Sequence, residues 1–260
     1  MALSFFANRN GSGEIRGRQI AAYLGARLNP TDDYEDDVCV WVKRQPPEDH
    51  PPRTYLDIVD AQERIAWLKH HPEVGVIASS ASGVAYLERL GLRSVVLIPQ
   101  HHANIDRIRK AGSMYPLRVG VVGGAASMPE PFRQALSDAL AGSLNTRRPT
   151  VQRYECRTRG EVIAAYEQID VQVVWRGIQR PLKNPLKIIN AASFGIPTIA
   201  LPEVGYEEVA DFYWPARSVR EVLAIIEALT VNGWNAERLI AMSEAYHIEP
   251  IGRLYEEILT

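Results

Sequence analysis

Four cationic side chains follow a single apolar stretch in the second half of the chain, a placement that would suit phosphate binding as well as a solvated loop. Directly after the predicted strand Val171–Trp175 come Arg176, Arg180, Lys183 and Lys187. Arginine can fork onto phosphate oxygens, whereas lysine acts as a point charge. Ligands of open parallel sheets bind at the carboxyl ends of the strands, and cations placed there would stabilise negative charge on a bound phosphate group. The alternative interpretation is a solvated basic loop.

Two glycine-bearing segments follow predicted strands and are candidates for close approach to a ligand. Gly123 and Gly124 follow Arg118–Val122, where a backbone without side chains could lie against a phosphate. The polar segment Asn8–Gly17 follows the first strand, and we expect a loop there that could lie against a ligand. Its candidate residues are Gly11, Ser12, Gly13 and Arg16. Plain turns between strand and helix are the alternative for both segments.

Two adjacent histidines, His101 and His102, come shortly after the predicted strand Ser94–Ile98. An exposed histidine at the carboxyl end of a strand is suited to proton transfer near neutral pH. We therefore expect at least one of them to face a reacting hydroxyl. The alternative is a helix start in which Asn104 caps the helix and the histidines pack locally.

Short apolar strands alternate with amphipathic helices along the chain, a pattern typical of parallel sheets covered by helices. The predicted strands are Ala2–Ala7, Asp36–Val42, Leu56–Val59, Val74–Ala78, Ser94–Ile98, Arg118–Val122, Val151–Arg157, Val171–Trp175 and Thr198–Leu201. The predicted helices are Arg18–Leu28, Ala61–His70, Gly83–Leu90, Pro129–Ala141, Arg159–Tyr166, Asn184–Phe194, Ser218–Leu229 and Asn235–Thr260, the last broken near Pro250. The alternation breaks around Lys110–Arg118. We expect one Rossmann-like domain at residues 1–114, a second at 115–232, and a C-terminal helix at 233–260.

Composition and charge exclude several classes of protein. The formal net charge is −2, with 46% hydrophobic and 23% charged residues, so no bulk basic field indicates a nucleic-acid partner. The cysteines, Cys39 and Cys156, lie far apart and predict neither a disulfide framework nor a metal site. No apolar run approaches the roughly 20 residues that span a membrane, and the first residues lack a signal peptide's features. We expect a soluble, cytoplasmic protein, and a homo-oligomer is compatible with the sequence.

The segment Pro181–Val209 resembles the donor-binding segment of GT-B glycosyltransferases, particularly the retaining, family 4-like branch. The resemblance is carried by Lys187-Ile-Ile-Asn190-Ala191 on a predicted helix and by Phe194-Gly195-Ile196-Pro197 at the turn into the next strand. Many members of the branch have two glutamates in this segment. This chain has Leu182 and Asn190 at the corresponding positions.

The resemblance implies an α/β fold of two Rossmann-like domains that face a cleft, with the C-terminal helix crossing back to the first domain. Residues 1–114 would then be the acceptor side, and residues 115–232 would bind a nucleoside diphosphate-sugar such as a UDP-sugar. It implies sugar transfer to an acceptor hydroxyl, with no cofactor besides the donor and, because the chain offers cations, no metal. The acceptor stays open between a glycan, a lipid-linked sugar, a small molecule and a modified nucleobase. Retention or inversion stays open as well.

Roles for individual residues follow from their positions and from this resemblance. We assign catalytic roles to His101 as a base and to Arg176 and Lys187 as cations on the leaving group. An amide at Asn190 can donate to and accept from a ribose hydroxyl, and Tyr206 could stack on a base or sugar. The expected donor-binding residues are Gly123, Gly124, Arg180, Lys183, Asn190, Glu203, Gly205 and Tyr206, with Gly11, Ser12, Gly13, Arg16 and His102 on the acceptor side. For Glu203 the alternative is an acidic residue that caps the next helix.

Two other functions are weighed against sugar transfer. A nucleotide-sugar-binding protein without transferase activity would lack the catalytic step, and a sugar-nucleotide epimerase would change the donor without an acceptor. An oxidoreductase is disfavoured, because the spacing of Gly11, Gly13 and Gly17 is one residue too long for the dinucleotide fingerprint. The second strand also leads into Lys43-Arg44 rather than an acidic residue.

Overall fold

The computed structural model describes residues 2–9, 11–110, 117–143, 151–176 and 180–258. Two compact units emerge, each with its own parallel sheet. Unit 1 comprises Met1–His101, Arg180–Pro185 and Tyr246–Thr260, and unit 2 comprises His102–Gln179 and Leu186–Ala245. The domain boundary that we expect at residues 114 and 115 lies outside the described residues. Among the helices in the described ranges, none is both long and apolar enough to cross a bilayer.

The sheet of unit 1 has six strands, and all neighbours pair in parallel. Its strands are Leu3–Ala7 (β1), Arg27–Leu28 (β2), Val38–Val42 (β3), Thr54–Asp57 (β4), Gly75–Ala78 (β5) and Val95–Leu97 (β6). The order across the sheet is β2-β1-β3-β4-β5-β6. Every residue of β1, β3 and β5 is buried, as expected for a parallel sheet covered on both faces.

The sheet of unit 2 has five strands, again paired in parallel. They are Val119–Val122 (β7), Val151–Tyr154 (β8), Val171–Val174 (β9), Thr198–Ala200 (β10) and Tyr213–Pro215 (β11). The order is β11-β10-β9-β7-β8. The α/β fold with two parallel sheets is therefore confirmed. The sequence pattern missed β2 and β11, which are short edge strands.

The helices that cover the two sheets alternate with the strands along the chain. In chain order they are Ile20–Leu24 (α1), Ile65–His70 (α2), Ala81–Arg89 (α3), Glu130–Ser143 (α4), Arg159–Glu167 (α5), Leu186–Ser193 (α6), Val219–Asn232 (α7), Ala236–Ser243 (α8) and Ile248–Glu257 (α9). Ser80 caps α3 by accepting a hydrogen bond from the amide of Gly83. That cap is typical of serine before a helix.

The loop that we predicted at Asn8–Gly17 is wrong from residue 11 onward, because the chain is already helical there. A π-helical segment, Gly13–Gln19, leads directly into α1. The helix also ends earlier than predicted, at Gly25 with a left-handed φ of 63°. The residues that follow are therefore released to pair with β1 as β2.

The turn from α6 into β10 confirms the Gly-Ile-Pro signal of the sequence. Gly195 ends the helix with φ +71°, a conformation that L side chains rarely adopt. A Cβ at Gly195 would also lie 3.0 Å from the Cβ of Ala236. The indole Nε1 of Trp234 donates to the Gly195 carbonyl at 2.8 Å, which holds the turn against the chain that enters α8.

The C-terminal segment is two helices rather than one helix broken near Pro250. The break lies between α8 and α9, where the His247 side chain accepts a hydrogen bond from the Glu249 amide. Pro250 sits in the first turn of α9, where a missing N–H costs nothing. α8 belongs to unit 2, and α9 belongs to unit 1, where it contacts α1.

Candidate functional site

Lys187 and the glycine loop after β7 lie together in unit 2. The Nζ atom of Lys187 donates to the carbonyl of Val122 at 3.0 Å. A Cβ on Gly123 would lie 2.5 Å from that Nζ and 2.7 Å from the Oγ of Ser127, so only glycine fits here. Its φ of +148° requires glycine as well. The structure thus brings together a cation, a glycine turn and the first turn of α6 at the carboxyl end of a parallel strand.

Arg176, just beyond β9, is paired with Glu203. The Arg176 Nε lies 2.9 Å from Oε1 and 3.0 Å from Oε2 of Glu203, and a third contact joins Nη2 to Oε2. The Tyr206 ring lies beside this pair, with its centroid 6.0 Å from the Arg176 Cζ. Burial raises the pKa of Tyr206, so its hydroxyl stays protonated and bonds the Glu203 carboxylate. Glu203 and Tyr206 are both buried, and the Arg176 charge is offset within unit 2.

The other two cations of the basic segment belong to unit 1. Lys183 forms an ion pair with Asp60, which also binds Lys43 with Nζ to Oδ1 at 2.5 Å. Arg180 is exposed. The expected cluster of four cations is therefore divided, two in each unit, and the donor-binding roles of Arg180 and Lys183 stay predictions.

The side chain of Asn190 is buried and holds the chain that follows His102. Its Oδ1 accepts a hydrogen bond from the Ala103 amide at 2.8 Å. Asn104 continues this contact, because its Nδ2 donates to the Ser193 carbonyl at 2.8 Å. Asn190 also bonds the hydroxyl of Tyr166, a residue whose pKa burial raises. These contacts are structural, and the ribose contact of Asn190 stays a prediction.

His101 and His102 are both buried, each with 1% exposure, whereas we expected an exposed histidine. In unit 1 the Nε2 of His101 lies 3.0 Å from the carbonyl of Ile15, so that nitrogen carries the proton. In the neutral ring the basic nitrogen is then Nδ1. The structure joins His101 to the π-helical segment that contains two of the acceptor-side candidates, Gly13 and Arg16.

The acceptor-side candidates differ in exposure. Gly11 is exposed, Ser12 is partly exposed, and Gly13 is buried at the start of the π-helical segment. Arg16 is 1% exposed, and its Nε donates to Oδ2 of Asp57 at 2.6 Å. Arg16 therefore holds a buried carboxylate rather than extending into a polar loop. Gly205, on the donor side, is buried in a short helical turn after Glu203.

The sequence pattern missed the partners of Arg16. Asp57 is the last residue of β4, and Tyr255 lies on α9. The Tyr255 hydroxyl donates to Oδ2 of Asp57 at 2.9 Å, and burial raises the pKa of that tyrosine. Asp57 could have been identified from the sequence, because a carboxylate that ends an apolar strand is a recognisable pattern. No local signal identifies Tyr255, since it comes from the far end of the chain.

No family model and no curated protein sequence matches this chain. Solved structures of glycosyltransferases share its fold at low identity. Sucrose-phosphate synthase from Thermosynechococcus elongatus aligns with a TM-score of 0.67 at 13% identity, over 100% of this chain and 99% of the other. HepE from Anabaena in complex with UDP aligns at 0.66 and 12%, with the same coverage.

A third glycosyltransferase is considerably longer than this chain. The pneumococcal O-GlcNAc transferase GtfA, solved with UDP and GlcNAc, aligns with a TM-score of 0.57 at 12% identity over 87% of this chain. The alignment covers 53% of GtfA, so this chain spans about half of that protein's length. At such identities the likeness shows the fold alone. The resemblance carried by Pro181–Val209 is confirmed at that level: this chain has the α/β fold of the GT-B glycosyltransferases.

Proposed function

We propose that this chain is a glycosyltransferase that transfers a sugar from a nucleoside diphosphate donor to an acceptor hydroxyl. The observation that carries the proposal is the position of Lys187 Nζ beside Gly123, at the carboxyl end of β7. Ligands of open parallel sheets bind at that end of the strands. HepE and GtfA, which share the fold, have been solved with UDP, and a UDP-sugar is therefore the first donor to test.

Lys187 has the chemistry that a leaving diphosphate needs. Negative charge builds up on the β-phosphate as the bond to the sugar breaks, and an ammonium group held in place stabilises it. Lys187 lies in the first turn of α6, where the helix dipole also favours an anion. In this proposal these protein groups replace a metal ion. Gly124, which has open space around it, leaves room for the phosphate oxygens, and Gly123 lets the Lys187 ammonium approach the backbone.

Arg176 plays a secondary part in this proposal. Its fork with Glu203 fixes the guanidinium beyond β9 and offsets its charge, so this proposal rests on Lys187. Tyr206 bonds Glu203 and thereby supports the same arrangement. We keep Asn190, Gly205, Arg180 and Lys183 as proposed donor contacts.

The acceptor is assigned to unit 1, through His101. The Ile15 carbonyl orients the buried His101 ring through Nε2, and in this proposal the imidazole serves as the base for the acceptor hydroxyl. His102 and the residues Gly11, Ser12 and Gly13 remain candidates for acceptor contacts. The cleft and a cytoplasmic location are parts of the proposal.

A thermal-shift panel of UDP-, GDP-, TDP- and ADP-sugars tests donor binding. A ligand at one hundred times its dissociation constant adds about 2.7 kcal/mol to the free energy of unfolding. Loss of one charge-assisted contact in Lys187→Ala removes about 1.5–3 kcal/mol of binding energy. We therefore expect this variant to bind the preferred donor about 10- to 100-fold more weakly than the parent.

Lys69→Ala is the matched control for Lys187→Ala. Lys69 is exposed on α2 in unit 1, and its removal deletes the same charge from a position outside the proposed site. For each variant, the melting temperature with ligand is compared with the melting temperature of the same variant without ligand. A change in intrinsic stability caused by the substitution therefore does not affect the comparison. Equal shifts in the parent and in Lys187→Ala would overturn the assignment of Lys187.

A second candidate function is binding of a nucleotide-sugar without transfer. It is favoured by the internal contacts of Arg176 and Asn190, which already engage these two side chains. Both side chains already have contacts within unit 2. His101→Gln separates the two functions, because a glutamine amide can still donate to Ile15 while it lacks a basic nitrogen. A transferase loses turnover and keeps donor affinity in this variant. A binding protein shows no turnover in either form.

A further inference from the structure

Two histidines and a glutamate converge on the surface of unit 1, away from the residues used above. His50 lies in the proline-rich connection between β3 and β4, and His71 and Glu73 follow α2. The three donor atoms all lie within 4.8 Å of one another. His50 Nε2 is 3.4 Å from Glu73 Oε1, and His71 Nδ1 is 3.1 Å from the same oxygen.

Each imidazole has an acceptor on its outer side, so its inner nitrogen can give up its proton to bind a metal. The Nδ1 of His50 lies 3.0 Å from the Pro51 carbonyl, which only accepts, so this nitrogen carries the proton. In the neutral ring, Nε2 then presents a lone pair to the Glu73 carboxylate, which is also an acceptor. The Nε2 of His71 lies 3.5 Å from Oε2 of Glu48. Its Nδ1 shares a hydrogen bond of 3.1 Å with Oε1 of Glu73, and with Glu48 as an acceptor on the other side the ring proton can move to Nε2 when Nδ1 binds a metal.

A cation between the three inner donor atoms would take the place of the hydrogen bond between His71 and Glu73. Around a tetrahedral Zn²⁺, with bonds of about 2.0–2.2 Å, neighbouring ligand atoms are separated by about 3.4 Å. The two separations to Glu73 Oε1 agree with this value to within a few tenths of an ångström. The ion would be accessible, because the Glu73 side chain is 53% exposed while the two histidines are largely covered.

The surroundings resemble the second shell of a metal site. A metal-ligating histidine usually donates its other N–H to a carbonyl or carboxylate, and here Pro51 and Glu48 provide one of each. Trp67 stacks on the His71 ring, with centroids 4.0 Å apart and planes at 20°, and so fixes its orientation. Two imidazoles and one carboxylate suit Zn²⁺ better than the hard cations Mg²⁺ and Ca²⁺.

We propose that His50, His71 and Glu73 form a zinc site with a water molecule as the fourth ligand. The site joins the connection between β3 and β4 to the chain after α2, and it stabilises unit 1. It contains none of the residues assigned to donor or acceptor and does not rest on the proposed function. Sugar transfer without a metal and a structural zinc ion are therefore compatible.

Zinc titration of the chelator-treated, dialysed full chain tests the site. Isothermal titration calorimetry should show one zinc ion per chain, and zinc should raise the melting temperature. His71→Ala should weaken zinc binding by more than about 100-fold, and the outer-shell variant Glu48→Gln by about 10-fold. His70→Ala is the matched control, because His70 is the exposed neighbour outside the cluster.

The outcomes separate the zinc site from a cluster of protonated histidines held by carboxylates. Parent-like zinc affinity in His70→Ala, together with its loss in His71→Ala, supports the site. Folding of each variant is checked by circular dichroism and by its melting temperature without metal, which for His71→Ala should equal that of the metal-free parent. No zinc binding by the parent, or equal binding by the parent and His71→Ala, overturns the proposal.

Discussion

Replacing Asp57 with alanine tests the buried ion pair with Arg16. Both side chains are almost fully excluded from water, and the contact between Arg16 Nε and Asp57 Oδ2 is 2.6 Å long. Within the described part of the chain, Nη1 and Nη2 of Arg16 have no hydrogen-bond partner. Without the carboxylate, the whole guanidinium would be buried and uncompensated. Removing one partner of such a pair costs about 3–5 kcal/mol.

The variant Tyr255→Phe provides a smaller perturbation of the same cluster. It removes one hydroxyl that donates to Asp57 at 2.9 Å and leaves the ion pair in place. A hydrogen bond to a charged group contributes about 1.5–3 kcal/mol. We therefore expect Asp57→Ala to lower the free energy of unfolding more than Tyr255→Phe does. Since Tyr255 lies on α9, both variants should loosen that helix.

Urea unfolding of a double-mutant cycle measures the coupling directly. The cycle uses Arg16→Met, Asp57→Leu and the double variant, because apolar side chains of similar size fill the space of the pair. Each single variant leaves one buried charge without its partner, whereas the double variant leaves none. The double variant should therefore be about 3 kcal/mol more stable than the sum of the two single effects predicts. Effects that add to within about 0.5 kcal/mol would refute the reasoning.

Three further predictions concern other parts of the chain. Gly123→Ala should cost about 1–3 kcal/mol of stability in thermal unfolding, because of its positive φ and its contact with Lys187, whereas Gly124→Ala, with open space around it, should stay within about 0.5 kcal/mol. Partial burial alone would raise the pKa of Asp60, but hydrogen bonds from its two lysine partners lower it to about 2. The stability that this carboxylate adds is therefore present above about pH 4 and lost as pH falls to about 2, and Asp60→Asn should abolish that part of the acid dependence in urea titrations. Burial raises the pKa of Cys39 to about 12, so iodoacetamide at pH 8 should leave this thiol unlabelled until the protein is unfolded; labelling of the native protein, read by mass spectrometry, would contradict its burial.

Apart from β2 and β11, the strands of both sheets could be predicted from the sequence because they are short apolar runs between polar turns. The segment Val171–Val174 and the Gly195 turn are examples in which local chemistry alone determines the structure. The edge strand Arg27–Leu28 could not be predicted in this way, since two residues carry no periodicity. Its pairing depends on where Gly25 ends α1, which requires the left-handed conformation at that residue.

The candidate site was predictable in its residue types more than in its contacts. The pattern identified both Lys187 and Gly123, and the structure places them side by side. It also identified Arg176 and Arg16 as cations, but it gave no indication that each meets a buried carboxylate. Those carboxylates, Glu203 and Asp57, end or follow other strands of the same sheets. Contacts between residues far apart in the sequence depend on tertiary packing, which local spacing does not encode.

Release of nucleoside diphosphate from sugar nucleotides tests the central claim most directly. Liquid chromatography of reactions with UDP-, GDP-, TDP- and ADP-sugars should show that the parent chain liberates the diphosphate from at least one donor. Lys187→Ala should slow this release about 100-fold, because it removes a cation from the developing charge. If the parent cleaves none of these donors, or if Lys187→Ala cleaves them at the parental rate, the catalytic role of Lys187 is contradicted.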